Sequence, residues 1–292
     1  TAASMGSTFA TVFNTAPFDK LTFVNKIGLN LEKDIKKDLI LYGGFEWKSY
    51  TPLGLANYQR VLNFDTANVS NIKTFEFIGR VRWTKGEEFL SGYFDRTSLR
   101  SVYPIFSLQA IIGMKNIFGS EYNYQRLEFQ MEHNTQLGVL GRMRYGVTAG
   151  YIFGTTAYPF LKVHEGNQSL WLLTSTFNKL NFMEFISDKY LTGFIENHWE
   201  GLFFDRIPLV KKLNLRLVST GRILYGDISQ KHEQAMLIPD FVKRFNGVPY
   251  METSIGIENI LKVIRVDIVW RMTHPIPGQS PFGIRARYAL NF

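Results

Sequence analysis

Apolar and polar residues alternate along long stretches of the chain. Phe282, Ile284, Ala286, Tyr288, Leu290 and Phe292 would share one face of a strand, with Gly283, Arg285, Arg287, Ala289 and Asn291 on the other. Ile264, Val266, Ile268, Trp270 and Met272 likewise oppose Arg265, Asp267 and Arg271, and Phe75, Phe77, Val81 and Trp83 oppose Thr74, Glu76, Arg80 and Arg82. A period of two is the signature of a strand whose faces meet different surroundings. These runs extend over roughly 9–14 residues, beyond the usual ~5–6 of a soluble strand and long enough for a tilted strand to cross a bilayer. The pattern predicts strands at 3–13, 20–32, 39–48, 56–64, 72–83, 88–97, 103–113, 121–134, 139–153, 189–200, 213–226, 250–258, 263–273 and 282–292. Backbone polar groups in lipid must all be paired, so such strands have to close on themselves. The expected fold is therefore all-β, a closed antiparallel transmembrane β-barrel of about 14 strands occupying 1–292.

A barrel of this kind has short turns at one end and long loops at the other. With Phe292 placed on the periplasmic side, 259–262 becomes a short periplasmic turn, and 154–188 and 227–249 become extracellular loops. The stretch 154–188 is too long for a bare loop. Its apolar clusters Leu170-Trp171-Leu172-Leu173 and Phe182-Met183-Glu184-Phe185 suggest a segment folded over or into the barrel mouth. Aromatic residues gather where such strands leave the hydrocarbon. Trp47, Trp83 and Trp270 are expected near the outer ends, and Trp199 and Phe292 near the inner edge.

Composition narrows the picture. Aromatic residues make up 15% of the 292 residues, no cysteine is present, and the formal charge is +8. No stretch reaches the roughly 18 apolar residues of a membrane-spanning helix. The opening Thr1-Ala2-Ala3-Ser4-Met5-Gly6 has none of the regions of a signal peptide. The basic residues are dispersed rather than clustered with aromatics, which argues against a nucleic-acid partner. Outer-membrane lipid and lipopolysaccharide are the expected surroundings, and Lys231, His232, Lys243 and Arg244 add positive charge to one long loop.

Several segments resemble Bacteroidota outer-membrane barrels of uncharacterised function whose longer members carry an N-terminal carboxypeptidase-regulatory-like domain. They include Phe118-Gly119-Ser120-Glu121-Tyr122, Glu196-Asn197-His198-Trp199-Glu200-Gly201 and Arg206-Ile207-Pro208-Leu209-Val210-Lys211-Lys212-Leu213. The most specific run is Gly256-Ile257-Glu258-Asn259-Ile260-Leu261-Lys262-Val263-Ile264-Arg265-Val266-Asp267-Ile268-Val269-Trp270-Arg271. The resemblance implies a barrel fold in the outer membrane of a Gram-negative bacterium, and a chain that is the C-terminal part of its gene product. It supplies no catalytic residues.

Chemistry is sparse. The five histidines form no His-Glu-x-x-His or close His pair, so no metal site is expected, and no cofactor motif is present. Glu196 and His198 share a strand face and could form an acid–base pair, but no Gly-x-Ser-x-Gly accompanies them. The informative residues are the inward charges Glu252, Glu258, Arg265, Asp267, Arg271, Arg285 and Arg287. Their alternating signs predict a paired lumenal network, with Glu258 near Arg265, Glu252 near Arg271 and Asp267 near Arg287. The expected role is non-enzymatic: an anchor or assembly component among other envelope proteins. The alternative is a pore or transporter for small anionic solutes.

Overall fold

The computed structural model describes residues 19–62, 65–91 and 96–288. Its centre is one sheet of eleven strands: β1 (Thr22–Lys36), β2 (Leu39–Pro52), β3 (Ile72–Thr84), β4 (Ile105–Gly113), β5 (Tyr124–Gln136), β6 (Arg142–Gly154), β7 (Lys189–His198), β8 (Arg216–Asp227), β9 (Tyr250–Ile260), β10 (Ile264–Arg271) and β11 (Phe282–Tyr288). Each strand pairs antiparallel with the next in sequence, and β1 and β11 are the two edges among the described residues.

Three expected crossings do not join this sheet among the described residues. The 3–13 segment and the last four residues lie outside them. The 56–64 and 88–97 segments fall in side hairpins, Gln59–Leu62 with Asp65–Asn68 and Glu87–Ser91 with Arg96–Ser101. Each of these strands has only 4 to 6 residues, too few to span a bilayer. The first hairpin is held from outside the sheet, where Leu237 N–H donates to the Gln59 carbonyl.

The register places the two longest connections, 155–188 and 228–249, at one end, while 85–104 and 199–215 lie at the opposite end with the tight turns. The segments 53–71, 114–123 and 272–281 leave from the same mouth as the two longest, and the tight turns at 37–38 and 261–263 lie at the other. Asn259, Leu261 and Lys262 all adopt positive φ, which lets so short a connection reverse the chain. Dropping 88–97 as a crossing reverses the direction of β3. Trp83 therefore stands beside Leu39 at the tight-turn end with Trp199, while Trp47 and Trp270 lie toward the loop-bearing end. Trp83 was expected at the other end. Phe292 lies outside the described residues.

The two faces are inverted relative to a soluble sheet. Large apolar residues on nearly every strand are exposed, from Leu29 (79%) on β1 to Ile255 (62%) on β9 and Ile284 (61%) on β11. The opposite parity is buried and polar, with Glu76 3% exposed and Asp267 fully buried. Apolar packing is concentrated at the loop-bearing mouth. One cluster joins Tyr58, Tyr124, Ile152, Tyr158, Phe160 and Met236, and a second joins Phe177, Leu180, Phe185, Phe245 and Tyr250.

The sheet is curled. In a flat sheet, β2 and β10 would lie roughly 40 Å apart at ~4.8 Å per strand. Yet the 155–188 loop touches both. Phe160 packs edge-on against Tyr50 of β2 at 5.1 Å, and Glu184 accepts hydrogen bonds from Arg271 of β10 at 2.7 and 3.0 Å. Phe160 and Met183 belong to one cluster, so the loop is itself compact and the sheet wraps around it. No helix among the described residues is long and apolar enough to cross a membrane.

Candidate functional site

The polar face of β7–β11 carries a chain of charges. His198 lies between two carboxylates, with Nε2 3.2 Å from Glu196 and Nδ1 3.0 Å from Glu258. Glu196 also accepts from Arg265 at 3.1 Å and from the Thr220 hydroxyl at 3.4 Å. Arg265 is forked onto Asp267 at 2.7 and 2.8 Å, and Ser254 donates to the same carboxylate at 3.1 Å. Asp267 sits opposite Gly256 in the register. A Cβ there would come within 2.2 Å of its carboxylate, so the glycine makes the space that the buried group occupies.

The loop supplies the remaining partners. Glu252 accepts from the backbone N–H groups of Asn178 and Lys179 at 2.8 and 3.0 Å and from the Tyr250 hydroxyl at 3.1 Å, with Arg222 3.9 Å away. Arg271 reaches Glu184, which also pairs with Lys243 at 2.8 Å. Arg285 donates to the Asn178 carbonyl at 3.0 Å, Arg287 to the Thr174 hydroxyl at 3.1 Å, and Arg222 to the Thr174 carbonyl. Leu172 N–H donates to the Ala286 carbonyl at 2.8 Å and Ala286 N–H to the Leu170 carbonyl at 3.0 Å, so the loop also lies along the β11 edge.

All seven inward charges read from the sequence therefore share one face and one hydrogen-bonded neighbourhood, but their partners differ from those the hairpins suggested. Glu258 takes His198 rather than Arg265, and Arg265 takes Asp267 and Glu196. Glu252 and Arg271 do stand opposite each other in the register, yet each turns to the loop. Asp267 faces Arg285 across the ladder, whereas Arg287 stands opposite Arg265 and donates to the loop. Hairpin logic counts only neighbouring strands: Glu258 and Arg265 find partners on β7 and along β10, and for Glu252, Arg271 and Arg287 the loop inserted between the walls brings its own carboxylate, hydroxyl and N–H groups. Glu184 is the residue that sequence reasoning did not single out for a role. Its signal was a lone acid among the aromatics of Phe182-Met183-Glu184-Phe185. The pair Glu196 and His198 lies within the network, with both ring nitrogens facing carboxylates, so neither is left to accept a substrate proton.

The base of the loop is tied down by neutral and charged contacts. His232 Nε2 lies 3.3 Å from Asp188, and Ser229 donates to that carboxylate through its hydroxyl at 2.5 Å and its N–H at 3.1 Å. His164 is fully buried, 3.0 Å from the Ser187 hydroxyl, and packs edge-on against Tyr190. Burial, with Lys162 and Arg126 nearby, pushes its pKa down to about 3. The sign follows from linkage: above pH ~6.5 His164 is neutral whether the loop is docked or released, and between pH ~6.5 and ~3 only the released form takes up the proton. Acidification through that window should favour release. In native-state proteolysis of the 155–188 loop, His164→Asn should flatten the acid limb of cleavage; an unchanged limb would place the titration elsewhere.

Sequence and structure comparisons add two findings. Residues 7–235 match the family of unknown function (DUF5686) C-terminal domain. In fold the chain is similar to BamA from Haemophilus ducreyi, in a crystal structure lacking POTRA domains 1–3, with a TM-score of 0.53 at 8% sequence identity. The match covers 92% of this chain and 54% of that one, so the chain spans about half its length. No curated protein matches in sequence.

Proposed function

The chain belongs to the family of unknown function (DUF5686) C-terminal domain, and from its inverted sheet we infer an outer-membrane β-barrel, filled by its own loop, that anchors or helps assemble an envelope protein complex without enzymatic activity. The carrying observation is the sheet itself: exposed apolar parity on nearly every strand, buried charge on the other. A soluble protein rarely exposes apolar patches beyond a few hundred Å², whereas lipid favours such a surface. The likeness in fold to BamA, an outer-membrane barrel, supports the same reading.

Closure of the sheet completes this proposal. Strand edges are untenable in hydrocarbon, so the edges of β1 and β11 must be paired, with each other or with further strands. The loop-bearing mouth faces the outside of the cell in this reading. Gln234 and Lys262 are both exposed, at opposite ends. Single cysteines at these sites, treated with an impermeant thiol reagent on whole cells, should label at 234 and not at 262; the reverse pattern would invert the orientation.

The role as an anchor rather than a conduit rests on the filled interior. The loop lies between the walls, and most charges facing it are met by opposite charges or loop carbonyls. One observation favours the pore reading: Arg285 and Arg287 donate to neutral oxygens and, among the described residues, have no carboxylate within ion-pair distance. Planar-bilayer recordings decide between the two. The intact protein should show no sustained conductance, and excision of 166–181 should open anion-favouring channels. Steady anion current through the intact protein would replace the anchor with a pore.

A further inference from the structure

A cavity of about 210 Å³ lies between the loop and the wall formed by β2, β3, β4 and β5. It is distinct from the charge chain on β7–β11. Its apolar side is built by Tyr50, Tyr124 and Phe160, whose rings pack together, and Ile111 lines it as well. Lys48, Arg126 and Lys162 also line it.

The charges around it do not cancel. Lys48 lies 2.8 Å from both Glu46 and Glu76, and Lys26 is 2.5 Å from Glu46, so two lysines meet two carboxylates. Glu76 spends its other oxygen on the Tyr124 hydroxyl at 2.5 Å. On the far side, Arg126 and Lys162 share one carboxylate, Glu128, at 2.8 and 3.0 Å, with Tyr190 donating to it as well. One positive charge is left over there. Arg126 Nε is moreover buried with no hydrogen-bond partner. Glu165 lines the cavity too, but it is exposed, where solvent screens it. A buried donor without an acceptor is costly, and such exceptions call for an explanation.

We propose that this cavity binds one small organic anion, a single ring bearing one carboxylate or phosphate. The anionic group completes Arg126 and Lys162, and the ring lies against Tyr50, Tyr124 and Phe160. The volume suits this size: an apolar cavity of roughly 150 Å³ accepts benzene, so this one holds a ring with a substituent. Because Lys162 belongs to the loop and Arg126 to β5, the ligand bridges the two and holds the loop in place.

Calorimetric titration of the protein in detergent tests the site with four probes: benzoate, phenyl phosphate, phenol and inorganic phosphate. Benzoate or phenyl phosphate should bind once per chain, and the tighter of the two identifies the anionic group. Phenol and inorganic phosphate should bind at least about tenfold more weakly. Arg126→Met and Lys162→Met should each weaken the ring anion about tenfold, the usual loss for one charge-assisted hydrogen bond. Ile111→Trp should fill the cavity and abolish binding while the thermal midpoint holds. If Arg126→Met does not fold, Lys162→Met decides, since it lies on the loop. Phenol or inorganic phosphate binding as tightly as the ring anions, affinity unchanged in Lys162→Met, or no binding by either ring anion would overturn the proposal.

Discussion

Replacing Arg271 by methionine should release the 155–188 loop and lower the stability of the protein by about 3–5 kcal/mol, the range for stripping a buried ion pair of one partner. Arg271 is the loop's strongest tether. Its guanidinium grips both oxygens of Glu184, donates to the Lys179 carbonyl at 3.1 Å and to the His274 carbonyl at 2.8 Å, and lies 4.9 Å from the Tyr250 ring. Without it, Glu184 keeps Lys243, a half-buried lysine that cannot replace a forked contact. Heat-modifiability on gels and protease cleavage within 166–181 would report the change. Glu184→Gln should act in the same direction and less strongly, because the amide still accepts one hydrogen bond. A variant as stable and as protease-resistant as the parent would mean that the apolar clusters at the mouth hold the loop unaided.

Asp267→Asn should be comparably severe, at about 3–5 kcal/mol, because it leaves the buried Arg265 with Glu196 as its only carboxylate partner. The double change Asp267→Asn with Arg265→Gln should recover part of the loss, with a coupling of roughly 0.5–3 kcal/mol expected of groups in direct contact. Pairing Asp267→Asn with Arg287→Gln should recover nothing, since Arg287 spends its donors on Thr174 and the Tyr288 carbonyl. Thermal denaturation of six proteins in one detergent, the parent, the three single variants and the two double variants, gives both cycles. Recovery by the Arg287 change and not by the Arg265 change would overturn the assignment of partners.

These two expectations mark how far the sequence could be read. The eleven strands of the sheet were legible within a few residues, because a period of two over so many residues has no competing explanation on a strand with two different faces. The inward parity of Arg265, Asp267 and Arg271 was legible for the same reason. Segments 56–64 and 88–97 were misread because local β-propensity forms a strand without saying whether it spans or folds back; pairing partners decide that. The error at 88–97 carried Trp83 to the wrong end. The identity of each charge's partner was not legible at all. A loop that enters between the walls contributes Glu184, Asn178 and Thr174 at sequence separations that no hairpin rule reaches. The aromatic clusters that flank Glu184 did announce a folded loop, but not what it would hold.

The order in which the chain is made gives the loop a further significance. Every pairing in the sheet joins strands adjacent in sequence, so the wall can grow one hairpin at a time behind the ribosome or an insertion machine. The loop does not share that convenience. Its anchors Arg222, Glu252, Arg271, Arg285 and Ala286 are all synthesised after it. A chain delivered from its first residue onward therefore spends the making of its last four strands with Leu172, Phe177 and Leu180 unsheltered, and docking is a late event that waits on the final strand. Such an interval is when a holding chaperone is most needed and when truncation near residue 280 would do the most harm.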